Sequence, residues 1–171
     1  MKETKKAVML VEHHFEDLEL WYPVYRLREA NVEVLLAGPE AGKTYMGKHG
    51  VPAKTDMNFN QLDANTTDAL LIPGGWAPDK LRRDSRVLEF VERMYERRKI
   101  IATICHAGWV LVSAKVVKNK RITSTEGIRD DLTNAGANWL YEPVVVDLPF
   151  ISSRRPGDLP IYAKTILEHL L

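Results

Sequence analysis

Short, unbroken apolar runs recur along this chain, and stretches of helical periodicity lie between them. AVMLV at 7–11 and IIATI at 100–104 are such runs, and VEVLLAG at 32–38, DALLIPGG at 68–75, RITST at 121–125, VVVD at 144–147 and FISSR at 150–154 read as strands with polar or turn residues mixed in. A run apolar at every position, not at every second one, fits a strand covered on both faces. The intervening segments predict helices over 16–31, 79–99, 106–115, 127–136 and 158–171. Leu81, Val87, Leu88 and Val91 form one apolar stripe on the second of these. Strand–helix alternation requires crossover connections, so the fold class is α/β: a mostly parallel sheet with helices on both faces.

Local signals refine this outline. Pro23 suits a first turn better than a helix interior, so the first helix is expected to start late or bend. Residues 40–65 are polar and turn-rich and predict a hairpin and a loop. Gly136 should close the helix at 127–136. Asp158 is placed as an N-cap, with Pro160 in the first turn. The 171 residues carry 24 Lys and Arg against 23 Asp and Glu. They suit a single domain over 1–171, and the balance gives no electrostatic reason to expect nucleic acid or a membrane. The apolar run near the start is too short for a signal core, and the one cysteine excludes an internal disulfide and CxxC metal spacing. A cytoplasmic protein in a reducing compartment is expected.

In parallel sheets ligands gather at the carboxyl ends of the strands. Suggestive residues follow three of these ends, after Val11, Ile72 and Ile104. Cys105, in TICHA, sits where a strand would turn into a helix, with Thr103 and Ala107 two positions to either side. That is the form of a nucleophile elbow. A helix N-terminus would favour a thiolate, titrating at roughly 3.5–7.5. The plain alternative is a cysteine packed as a small hydrophobe, and His106 shifts the balance towards chemistry.

Taken together, FEDLELWYPVYRLREANVEV, TYMGKHG, DALLIPGGWAPDKLRRD, TICHAGWVLVSAKVVKNKRITSTEGIRDDLTNAGANW and VVVDLPFISSRRPGDLP resemble the PfpI-type intracellular proteases of the ThiJ/PfpI superfamily. The resemblance implies a flavodoxin-like three-layer sandwich, a reactive Cys105 with His106, and no cofactor or metal. It also implies a homodimer or larger homo-oligomer. Implied activities are peptide hydrolysis, glyoxalase chemistry on small α-oxoaldehydes, and deglycation. Glu16 matches the family's acidic residue beside the cysteine. It is expected to be partly protonated, to donate to the sulfur and to shuttle protons; on spacing alone it reads equally as an ordinary first-turn acid, as Asp17 and Glu19 do. Gly74 and Gly75 end a strand; the N–H groups of Gly75 and His106 are implied to face the substrate oxygen, with Ala107 and Trp76 beside it.

Asp79, in WAPDK, stands where the family has a glutamate reaching a neighbouring subunit's histidine. It reads equally as a helix N-cap. Thr125 replaces a frequent tyrosine and Glu126 a frequent proline, which bears on substrate preference. Glu12, His13, His14 and Glu16 lack a spaced ligand set and read as a loop, not a metal site. His49 matches a loop motif without an assigned role. The functional reading is a cysteine-nucleophile hydrolase or glyoxalase/deglycase acting on a peptide or small carbonyl compound, with a slight preference for the small molecule. The alternative is a redox sensor or stress-response holdase using an oxidisable Cys105.

Overall fold

The computed structural model describes residues 4–171. The predicted single domain therefore includes three residues, 1–3, that lie outside the described ones. The chain begins with β1 (Lys6–Leu10), α1 (Asp17–Glu29) and β2 (Glu33–Gly38). A hairpin follows, β3 (Thr44–Met46) and β4 (Pro52–Lys54), then β5 (Met57–Asn58) and β6 (Ala69–Ile72). Next come α2 (Ala77–Leu81), α3 (Ser85–Glu96), β7 (Ile100–Ile104) and α4 (Gly108–Ser113). The last third holds β8 (Arg121–Ile122), α5 (Arg129–Asn134), β9 (Asn138–Trp139), β10 (Val144–Asp147), β11 (Phe150–Ser153) and α6 (Leu159–Leu170).

Seven strands make one sheet in the order β10-β11-β7-β6-β1-β2-β5. All neighbours are parallel except β10, which pairs antiparallel with β11 at one edge. Helices α1 and α6 pack together, and α2, α3, α4 and α5 form a second group. The result is the three-layer α/β sandwich expected from the alternation. Strands β6 and β7 are buried at every position, as their continuous apolar character required. The winding direction reverses between β1 and β6, so the crevice at a topological switch point opens above their carboxyl ends.

Four local expectations change. The helix expected over 79–99 is two helices, α2 and α3, because the Asp84 side chain accepts the Arg86 N–H at 3.0 Å and starts a new one. The segment 121–125 is a strand only at Arg121–Ile122. It pairs with β9 in a separate ribbon, since the Thr123 amide goes to Ser152 Oγ and the Thr125 amide to the Cys105 carbonyl. The Asp158 side chain makes no cap; it takes a bidentate contact from Arg154 instead. Finally, α1 runs through Pro23. The missing amide is the one that would have bonded the carbonyl of Glu19. The hairpin within 40–65 and the Gly136 stop, at φ +91°, form as expected.

Candidate active site

Cys105 follows β7 directly and has φ +59°. For a residue with a Cβ, that left-handed conformation costs on the order of 1–3 kcal/mol. The chain accepts it where β7 turns sharply into a 3₁₀ turn over Cys105–Ala107 and then α4. The tightness demands small neighbours, and Thr103 and Ala107 are both fully buried against the turn. Sγ lies 3.3 Å from His106 Nδ1. The backbone N–H groups of Gly75 and His106 both point at the sulfur.

Gly74 and Gly75 bring β6's outgoing chain against this corner. A Cβ on Gly74 would collide with both the Glu19 carboxyl and Cys105 Cβ, so these two groups flank it. Gly75 has φ +74°, and a Cβ there would meet the backbone of residues 14–16. That close approach allows an antiparallel bridge between Phe15 and Gly75.

The thiol is not the low-pKa group expected from the sequence. Burial, followed by the charge of Glu19, pushes it up to about 12, against the opposing pull of the His106 and Gly75 amides and of Lys48. Burial and the Lys48 charge hold the His106 imidazole below its ordinary value. The carboxyl beside the sulfur is also a different one. Glu19, 1% exposed, accepts the Gly74 N–H at 2.8 Å through Oε2, and its carboxyl also hydrogen-bonds with the Cys105 thiol. Burial raises it to about 8; the Gly74 amide opposes this, and Glu16 adds to it. At neutral pH the corner therefore holds a neutral thiol, a neutral imidazole and a neutral carboxylic acid.

Glu16, the expected partner of the sulfur, instead makes an ion pair with Lys48 at 2.5 Å, and His49 Nε2 lies 3.7 Å from its other oxygen. Sequence reading missed Glu19 and Lys48. Glu19 had a signal: it lies three positions after Glu16, the N-cap of α1, a spacing that keeps both acids on one side of the first turn. Lys48 had none, because only the hairpin carries it there. The buried Asp17 carboxylate accepts the amides of His49 and Val51 at 2.9 and 2.8 Å, and Gly47 has no side chain to obstruct it. Glu16, Asp17 and His49 present ligand atoms within 4.8 Å of one another, but Asp17 is committed to the hairpin and Glu16 to Lys48.

The remaining residues divide. Trp76 is 55% exposed, and its ring lies 5.2 Å from the His106 imidazole. Trp109 faces the same imidazole at 5.1 Å, with its indole N–H on Asp131. Ala107 is buried beneath the turn. Asp79 does not cap α2, since Trp76 occupies the N-cap position, and its carboxylate goes to Arg83 at 2.6 Å. Within one chain it does not join Cys105 and His106. Thr125 donates its amide to the Cys105 carbonyl at 3.3 Å.

A family model described as the DJ-1/PfpI family matches residues 5–169. The chain belongs to the DJ-1/PfpI family. It is 42% identical to the protein named deglycase PfpI of Pyrococcus furiosus over 165 residues, 96% of this chain and 99% of that one. It is also 42% identical to YraA of Bacillus subtilis, provisionally named a cysteine protease, over 98% of this chain and 99% of that one. A solved two-domain protein of Anabaena variabilis, with DJ-1/ThiJ/PfpI-like and ferritin-like domains, superposes at a TM-score of 0.96 and 38% identity. That match covers 98% of this chain and 48% of the other. The DJ-1/PfpI fold is thus the sandwich described above, with Cys105 at its elbow. Among the described residues no helix is long and apolar enough to cross a membrane.

Proposed function

We propose that this chain is a cysteine-dependent enzyme of the PfpI type, cytoplasmic and homo-oligomeric, whose Cys105 adds to the carbonyl carbon of a small α-oxoaldehyde or a related carbonyl adduct. One observation carries the reading: Cys105 sits in a strained elbow with two amides and an imidazole nitrogen aimed at its sulfur. The names of the relatives, deglycase and cysteine protease, support carbonyl-directed cysteine chemistry.

In the first step the thiol proton passes to His106 Nδ1 as sulfur bonds to the carbonyl carbon. An imidazole held below its usual pKa is free to accept it. The carbonyl π pair moves to oxygen, where the Gly75 and His106 amides hold it. The imidazolium then returns its proton to that oxygen and gives a hemithioacetal. Glu19, an acid at neutral pH, keeps a second negative charge out of the corner. Glu16, buried and paired with Lys48, is the carboxylate that moves protons on the substrate, and the exposed Trp76 stands beside the Gly74–Gly75 turn, with Ala107 packed beneath the elbow.

The test is turnover of methylglyoxal and of a fluorogenic peptide by wild type, Cys105→Ala and His106→Ala. Methylglyoxal turnover that falls at least ~100-fold in both variants supports the reading. Turnover of neither substrate, or turnover that survives Cys105→Ala, overturns it.

A further inference from the structure

The reaction above leaves Lys48 with no task beyond neutralising Glu16, yet three segments of chain converge to place it. Residues 14–16 run between 74–76 and 46–48. The Trp76 amide donates to the His14 carbonyl and the Glu16 amide to the Gly74 carbonyl, at 2.8 and 3.1 Å. On the other side the His14 amide donates to the Met46 carbonyl and the Lys48 amide to the Phe15 carbonyl, at 2.8 and 2.9 Å. This small three-ply ribbon sets the Gly75 amide, the Glu16 carboxylate and the Lys48 ammonium along one wall of the site. The Asp17 clamp fixes the hairpin behind it.

We propose, resting on the reading above, that Lys48 is a catalytic residue whose ammonium holds the second oxygen of a vicinal dicarbonyl substrate and carries the charge it acquires in an enediolate. A compound with one carbonyl needs only the Gly75 and His106 amides. A second, separate positive group at the same wall answers a second developing charge on the adjacent oxygen. The bond to Glu16 keeps Lys48 an ammonium, so it acts as a cation and not as an imine-forming amine.

The steps balance without an external oxidant. Glu16 takes the hydrogen from the carbon bearing sulfur as a proton, and the bonding pair forms the C=C bond. The neighbouring C=O π pair moves onto its oxygen, against Lys48. Return of the proton from Glu16 to the second carbon, with transfer of the hydroxyl proton from the first oxygen to the second, gives a thioester and a 2-hydroxy group. The first carbon is oxidised and the second reduced. Water then displaces the sulfur, releasing a 2-hydroxycarboxylate and the thiol.

The experiment compares Lys48→Met and Lys48→Arg with wild type on methylglyoxal and on p-nitrophenyl acetate, an ester that acylates Cys105 without an enediolate. The Met variant should lose about 100-fold in kcat on methylglyoxal and less than about a tenth as much on the ester. The Arg variant, which keeps the charge, should recover most of the loss. With methylglyoxal deuterated at the aldehyde carbon, the isotope effect on kcat should grow in Lys48→Met as C–H cleavage becomes rate-limiting. Equal losses on both substrates, an unchanged isotope effect, or no loss would each overturn the role of Lys48. Turnover independent of Cys105 in the wild type would instead remove the reading on which it rests.

Discussion

At the scale of single residues, the corner is governed by how many charges it can hold. Burial penalises the charged form of both groups, so Glu19 keeps its proton to about pH 8, and Cys105, with the Glu19 charge adding to its burial, keeps its own well beyond. This has a consequence for stability. Between pH 4.5 and about 8 the unfolded chain has released a proton that the folded chain retains, so the Glu19 contribution falls as pH rises through that window. Glu19→Gln, which has no proton to lose, should be more stable than wild type, by up to a few kcal/mol at pH 8. The difference in Tm should grow from pH 5 to 8 and level off outside the window; a pH-independent difference would contradict the assignment. The sequence made Cys105, His106 and the glycine pair legible because each depends on local backbone geometry. It could not choose between Glu16 and Glu19, because both are buried acids three positions apart at the start of α1, and only their partners, Lys48 for one and the Gly74 amide for the other, separate them.

At the scale of elements, short segments are placed by side chains that leave their own element. The Asp17 carboxylate belongs to α1, yet both its oxygens serve the turn between β3 and β4. The turn is polar and carries two glycines, so its order depends on such ties. Asp17→Ala leaves two amides without acceptors and should cost about 1–3 kcal/mol. Native-state hydrogen exchange should show selective loss of protection at His49 and Val51, with β6 and β7 unchanged. Methylglyoxal turnover should fall with it, since Lys48 rides on this turn; retained protection at the two amides would refute the clamp. The same logic explains where element boundaries escaped sequence reading. The apolar stripe at 79–99 continues across the break between α2 and α3, because both helices pack on one side of the sheet. The break comes from the Asp84 cap, which the stripe does not report. RITST has strand composition, but Ser152 and Cys105 capture its amides after two residues.

At the scale of the whole molecule, the alternating pattern was sufficient to set the sheet, because continuous apolar strands have no stable place except between two helical layers. It carried no information about assembly. Asp79 is 55% exposed on its side chain and among the described residues pairs with Arg83, while the His106 ring stands between two tryptophans with no carboxylate of the described residues on it. If a second copy supplies Asp79 to this imidazole, the site is shared, and two defects on different chains must complement. Cys105→Ala retains Asp79, and Asp79→Ala retains Cys105; each homo-oligomer should turn over methylglyoxal at less than about a tenth of the wild-type rate. Co-refolded in equal amounts, they form mixed dimers in which one site joins an intact cysteine to an intact partner aspartate. Random pairing of a two-fold assembly makes half the dimers mixed, so about a quarter of wild-type activity per chain should return. An Asp79 that acts within its own chain gives no recovery, and one that only pairs with Arg83 leaves Asp79→Ala near wild-type activity before any mixing, so the assay separates the outcomes whatever surface joins the two copies.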